Sequence, residues 1–238
     1  MKRVILAVIL AVALIAQPVM AKDITLQFEW DANVEPDMDH YEAFHRVEGQ
    51  GYNYTVPIKT VPHPTTTTNI EFKGVPDNAV TKNYVVLQAV DTSGNHSGDS
   101  NEVWASIDLR VPPVSVIAAG VYNDTTETVD LAWVQASPDL VSRWKVYNAT
   151  TSGGPYAEIG ELVNDGSPDH TISWAIPGDG TYYFVVVPFR DGSETLDPGG
   201  ASTTIVDASY AANSNEAMVE VKVHPAPTKN FKVKIRIQ

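Results

Sequence analysis

Twice in this chain a run that alternates apolar and polar residues ends in a tryptophan, and a second aromatic residue follows at the same distance each time. In the first run Leu26, Phe28 and Trp30 share one face and Thr25, Gln27 and Glu29 the other. In the second, Val129, Leu131 and Trp133 alternate with Asp130 and Ala132. Period two puts successive side chains on opposite faces of an extended strand, so each run is a strand with one buried face and a Trp to anchor a core. Trp30 leads through Pro36-Asp37-Met38 to Tyr41, and Trp133 leads through Pro138-Asp139-Leu140 to Trp144. No stretch sustains a helical period, and Pro, Gly, Asn and Asp clusters punctuate the alternation throughout. The chain therefore reads as all-β and internally duplicated.

The duplication continues downstream. Ser100-Asn101-Glu102 recurs as Ser214-Asn215-Glu216, and each copy leads through a short strand to prolines, Pro112-Pro113 and Pro225-Ala226-Pro227. These features divide the chain at 110/111, into a unit over 22–110 and a unit over 111–224. The second is longer because a Gly, Ser, Thr and Ala-rich loop over 191–213 is inserted in it.

Both units resemble fibronectin type III modules. The resemblance rests on Trp30, Tyr41 with Ala43 and Phe44, the run Val85-Val86-Leu87-Gln88-Ala89-Val90-Asp91, Gly94-Asn95, and Ser100-Asn101-Glu102-Val103. The second unit offers Trp133, Trp144 with Val146 and Tyr147, and Tyr182-Tyr183-Phe184-Val185-Val186-Val187. The fold implied is two tandem immunoglobulin-like, fibronectin type III-like β-sandwiches, an architecture shared by proteins of many functions. The family's buried corner tyrosine falls at Tyr182 in the second unit, but its counterpart in the first is Asn83. The first unit also lacks the family's first strand, since Lys22-Asp23 runs straight into the strand carrying Trp30.

The segment 225–238 mirrors that deficit. Its prolines and the alternation of Phe231, Val233, Ile235 and Ile237 with Lys232, Lys234 and Arg236 resemble the opening strand of a further module. Such a strand suits an exposed sheet edge, apolar face inward. Three placements are open: folded back on the second unit, free, or filling the edge of the first unit within one chain or head to tail between chains. Between chains that contact is heterologous, of the kind that can propagate into a filament.

Residues 1–21 read as an export signal: Lys2 and Arg3, then the apolar run Val4 to Ala16, then Val19-Met20-Ala21 with small residues for cleavage after Ala21. That run is shorter than the roughly 20 residues needed to span a bilayer, and no later stretch is long and apolar enough. A secreted protein, periplasmic or extracellular, is expected. Of 16 Lys and Arg, loss of Lys2 and Arg3 leaves 14 against 29 Asp and Glu, which disfavours nucleic acid and anionic lipid as partners. With no cysteine in the chain there are no disulfides, no thiolate metal sites and no thiol nucleophile.

Catalytic signatures are absent. There is no Gly-x-Ser-x-Gly elbow, no phosphate loop, and no pair among the six histidines at helical metal spacing. A hydrolase with a convergent site would need perturbed carboxylates or imidazoles grouped in one pocket. No cofactor is implied. Asp91, Asn95 and Asp99 surround a Gly turn and are candidate calcium ligands, although Asp and Asn more often close such turns onto their own backbone. Tyr52, Tyr54 and Tyr156 are candidate contact residues on matching loops, and Tyr210 is another, within 191–213. The sequence thus points to a non-catalytic structural or adhesive module that binds protein at the cell surface, with a carbohydrate-binding accessory protein as the alternative. Coplanar aromatics on one exposed face would favour glycan. An unpaired edge in the first unit would favour assembly.

Overall fold

The computed structural model describes residues 21–167, 169–196 and 201–223. The export signal, apart from Ala21, and the 225–238 strand with Phe231, Val233, Ile235 and Ile237 lie outside the described residues.

The first half folds as β1 (Ala21–Glu29), β2 (Met38–Val47), β3 (Lys59–Pro62), β4 (Thr67–Pro76), β5 (Val80–Asp91) and β6 (Val103–Asp108). Strands β1 and β4 pair antiparallel as one sheet, and β3-β2-β5-β6 form the other. The second half comprises β7 (Val116–Asn123), β8 (Thr128–Val134), β9 (Arg143–Ala149), β10 (Ala157–Val163), β11 (His170–Ala175), β12 (Gly180–Arg190), β13 (Ser193–Leu196), β14 (Ser202–Val206), β15 (Ser209–Tyr210) and β16 (Ala217–Val221). Here β7-β8-β11 face a sheet of β10, β9, β12 and β16, with the short β15 also on β12. Three strands over four is the fibronectin type III arrangement. Among the described residues it is complete in the second sandwich and one strand short in the first.

Alternation decides what each sheet buries. In the second sandwich Val129, Leu131 and Trp133 of β8 pack on Trp144 and Val146 of β9, on Tyr182, Phe184 and Val186 of β12, and on Val219 and Val221 of β16. In the first, Ile70, Phe72 and Val75 of β4 meet Ala43, Val85 and Ile107. The corner tyrosine is present where the sequence placed it, with Tyr182 Oη donating to the Gly178 carbonyl at 3.0 Å. Its counterpart Asn83 is buried, and its Oδ1 lies 2.9 Å from His45 Nε2 instead.

One element departs from the sequence reading. The 191–213 stretch, expected as a long loop of the second unit, carries β13, β14 and β15. Strand β14 leaves its own sandwich and pairs parallel with β6, from Ser202 opposite Trp104 to Val206 opposite Asp108. With β13 beside it, the crossing hairpin extends the larger sheet of the first sandwich to six strands. Its polar, β-branched Ser-Thr-Thr-Ile-Val sequence suits an edge strand as well as a loop, and nothing local in it specifies a distant partner. Lys22 Nζ on Asp207, 2.7 Å away, ties β1 to the end of the hairpin. Among the described residues no helix is long and apolar enough to cross a membrane.

Candidate functional site

Strand β1 pairs with β4 along one side, and among the described residues it has no neighbour on the other. Its counterpart β8 is flanked on both sides, by β11 and by β7. The consequence is visible in burial. Val129, Leu131 and Trp133 are at most 3% exposed, whereas the matching Leu26, Phe28 and Trp30 are only half-buried.

The repeated Ser-Asn-Glu explains what is missing. In each sandwich its Ser hydroxyl accepts a strand amide, from Leu87 to Ser100 at 3.0 Å and from Val186 to Ser214 at 2.9 Å. Its Glu accepts a tyrosine hydroxyl, Tyr52 on Glu102 at 2.8 Å and Tyr156 on Glu216. Its Asn differs. Asn215 brackets the first strand, with Oδ1 accepting the Ile117 N–H at 2.8 Å and Nδ2 donating to the Ile117 carbonyl at 3.3 Å. Asn101 is exposed, and among the described residues its side chain has no hydrogen-bond partner. A clasp for a first strand is built in both sandwiches and closed in one.

How tightly that strand fits is shown by Gly120 of β7. A Cβ there would lie 3.0 Å from Val219 Cγ2 of the facing sheet and 3.1 Å from Leu131 Cδ2 of the neighbouring β8, so β7 is packed tightly on both. In the first sandwich, among the described residues, the same position is a cleft of about 990 Å³. Leu26, Phe28, Ile70, Leu87 and Val103 supply its apolar floor, and Ser202 and Thr203 of β14 its far wall. Glu29, Asp31, Asp99 and Glu194 also line it, and among the described residues no Lys, Arg or His does.

The tyrosines nominated from sequence lie elsewhere and are engaged. Tyr52 and Tyr54 sit 5.8 Å apart at 39° and are not coplanar. Arg46 lies 5.3 Å over the Tyr52 ring and 3.8 Å over Tyr84, and Lys82 lies 3.9 Å over Trp104, so cations occupy these ring faces. Partial burial and the Glu102 carboxylate push the Tyr52 hydroxyl pKa well up, and that hydroxyl with Arg46 holds Glu102 below the usual carboxylate range. Tyr54 donates to Asp99 at 2.6 Å, and this bond, with burial adding to it, raises its pKa. Glu216 is lowered by the Gly153 N–H, Tyr156 and Ser152. Tyr210 is 67% exposed and stacks on Phe189 at 5.5 Å and 28°.

The calcium candidates are not brought together as an ion site. Asp91 closes its own turn, accepting from Ser93 N–H at 2.9 Å, Asn95 N–H at 2.8 Å and Asn95 Nδ2 at 2.8 Å, which lowers its pKa. Asp99 accepts from Tyr54 and Gln88. Among the described residues no group of three His, Asp or Glu is placed to hold a metal.

Sequence reasoning passed over Asn101, noted only as one mark of the repeat, and it passed over Asp108. The recurrence of Asn101 as Asn215 was the available signal for the first. For Asp108 there was none, because the partner that ties it to the second sandwich is distant in sequence: Arg190 donates to it at 2.9 and 2.6 Å, beside the near neighbour Arg110 at 3.0 and 2.7 Å. Burial opposes ionisation of Asp108, but the two guanidinium groups outweigh it and hold its pKa well below the carboxylate range.

No protein-family profile matches the chain, and no curated protein does. Solved structures similar to it include the FN1–FN3 domains of chicken CNTN1, at 10% identity and a TM-score of 0.38, covering 83% of this chain. The match spans 62% of that chain's length. A Fn3-like protein from Clostridium thermocellum is similar at 24% identity and a TM-score of 0.29, over 40% of this chain and 92% of that one.

Proposed function

We propose that this protein is an exported, non-catalytic binding and assembly module whose working surface is the open first-strand position of its first sandwich. The observation that carries this is the contrast between Asn215, which brackets Ile117 on both backbone groups, and Asn101, which lines the cleft and whose side chain has no hydrogen-bond partner among the described residues. An extended polypeptide entering beside β1 would pair with its free backbone edge. It would also cover Leu26, Phe28 and Trp30, each worth on the order of 1 kcal/mol for its remaining exposure. The partner class is therefore protein, presented as a strand with alternating apolar residues. Perturbed Asp108, Glu102 and Glu216 are engaged in ion pairs and tyrosine contacts, and a glycan-stacking face draws no support from rings covered by Arg46 and Lys82. Export rests on the Lys2-Arg3 start, the apolar run and Val19-Met20-Ala21.

The test is binding of a fluorescent peptide copying residues 114–123, the stretch that fills this position in the second sandwich, followed by anisotropy. Binding that is lost in a folded Phe28→Glu variant supports the reading. Absence of binding by this peptide, and by a panel of other alternating ten-residue peptides, overturns it.

A further inference from the structure

The occupant of the cleft is identified by charge, pattern and reach. Strand β7, which fills this position in the second sandwich, has eight residues, and the alternating run from Phe231 to Ile237 has seven. Its four apolar side chains match a floor built from Leu26, Phe28, Ile70, Leu87 and Val103. Its cationic face of Lys232, Lys234 and Arg236 matches the four carboxylates that line the cleft, where no cation stands among the described residues. It follows the prolines Pro225 and Pro227, as β7 follows Pro112 and Pro113, at nearly the same distance beyond the Ser-Asn-Glu motif.

Reach decides between the chain's own cleft and another copy's. Val221 pairs with Gly180 at the start of β12, and the Val223 N–H donates to Asp179 at 2.7 Å. The other end of β12 is Arg190, which grips Asp108 of the first sandwich. The chain therefore leaves the second sandwich at the end away from the first, about 33 Å of strand from the junction. Phe231 is eight residues past Val223, at most about 29 Å even when fully extended. It does not reach the junction along that path, and the cleft asks for more. A strand antiparallel to β1, as β7 is to β8, must begin beside Trp30 and Asn101, at the end of β1 and β6 away from the junction.

We infer that the cleft is filled by the 229–238 strand of a second copy of this chain, so that each copy supplies the first strand of the next. This rests on the reading of the cleft as a strand-accepting site. The end of one copy from which the strand departs meets the end of the next at which an antiparallel first strand must start. The contact is heterologous, so copies concatenate head to tail as though they formed one tandem of modules, in an open run or a closed ring according to the rotation between them.

The cysteine-free chain makes the test direct. Gln27→Cys in β1 is combined in turn with Lys232→Cys, Lys234→Cys or Arg236→Cys in the full chain as exported, its N-terminus fixed by intact mass. Mild oxidation should give a ladder of covalent dimers, trimers and longer species from at least one pair. The ladder should disappear when Val233→Asp and Ile235→Asp are added. Light scattering of the cysteine-free protein should fall from a concentration-dependent mass to that of a single chain with the same two substitutions. A cross-linked monomer without a ladder overturns the inference in favour of docking within one chain. No cross-link from any pair, with a mass indifferent to the tail substitutions, overturns it altogether. In that second case, binding of the 114–123 peptide would leave the strand-accepting cleft standing with another occupant, and failure of the peptide as well would remove both.

Discussion

Arg190, at the end of β12, holds Asp108, at the end of β6, through charge-assisted hydrogen bonds of 2.9 and 2.6 Å, and both side chains are only 9% exposed. Arg190 also donates to the Arg110 carbonyl at 2.9 Å. The pair lies beside β14, where the second half of the chain crosses onto the sheet of the first, so the two sandwiches are joined by an ion pair and a strand ladder together. Removing one partner of such a pair leaves the other charge buried and unmatched. Asp108→Ala should therefore cost about 3 kcal/mol, read as a lower midpoint in chemical denaturation. A loss under about 1 kcal/mol would mean that water reaches the pair freely.

Acid should weaken the fold in two windows. Burial lowers the pKa of His170, which lies 4.1 Å from the Trp144 ring, and that of His45 beside Asn83. A base with a depressed folded pKa contributes stability that is full above its ordinary value, about 6.5, and is lost as pH falls below it. Asp108, also depressed, contributes above its ordinary value of about 3.9 and loses that contribution as pH drops further. Denaturation midpoints should decline between about pH 7 and 5 and again below about pH 4. His170→Asn should flatten only the upper decline.

The two asparagines of the repeat should respond unequally. Asn215→Ala unclasps β7 from Ile117 and should cost about 1–2 kcal/mol, since it leaves strand groups without partners. Asn101→Ala should leave the stability of the single chain within about 0.5 kcal/mol, as at an ordinary surface site. The same change should weaken binding of the 114–123 peptide. Equal losses for the two substitutions would contradict the contrast between a closed and an open clasp.

Tyr182→Phe removes the bond to the Gly178 carbonyl while keeping the ring in the core, so a loss of about 1 kcal/mol is expected by thermal or chemical denaturation. Asn83→Tyr in the first sandwich should not recover a corner. It would place a ring where His45 and Asn83 now meet, and destabilisation is the expected outcome.

The sandwiches were legible because their information is local and repeated. Alternation ending in Trp30 and Trp133 names the strand, its inward face and its copy. The crossing of β14 to β6 was not legible. Parallel pairing between residues about a hundred positions apart leaves no periodic trace, and Gly-rich flanks read as loop. Tyr52, Tyr54 and Tyr156 stood out as aromatics in turns, but sequence could not show the Glu102, Asp99 and Glu216 carboxylates that engage their hydroxyls. Asn101 was visible only as a letter of a motif. Its meaning required seeing what Asn215 holds.

The most direct measurement is hydrogen exchange at β1, read by mass spectrometry on peptides covering residues 24–30 across a range of protein concentrations. Half of the amides of an edge strand face outward, so an open edge exchanges quickly and a paired one does not. Protection that rises with concentration, and that Val233→Asp with Ile235→Asp removes, is the predicted result. Protection already complete at the lowest concentration, or fast exchange unchanged at the highest, would contradict the donation of a strand from one copy to the next.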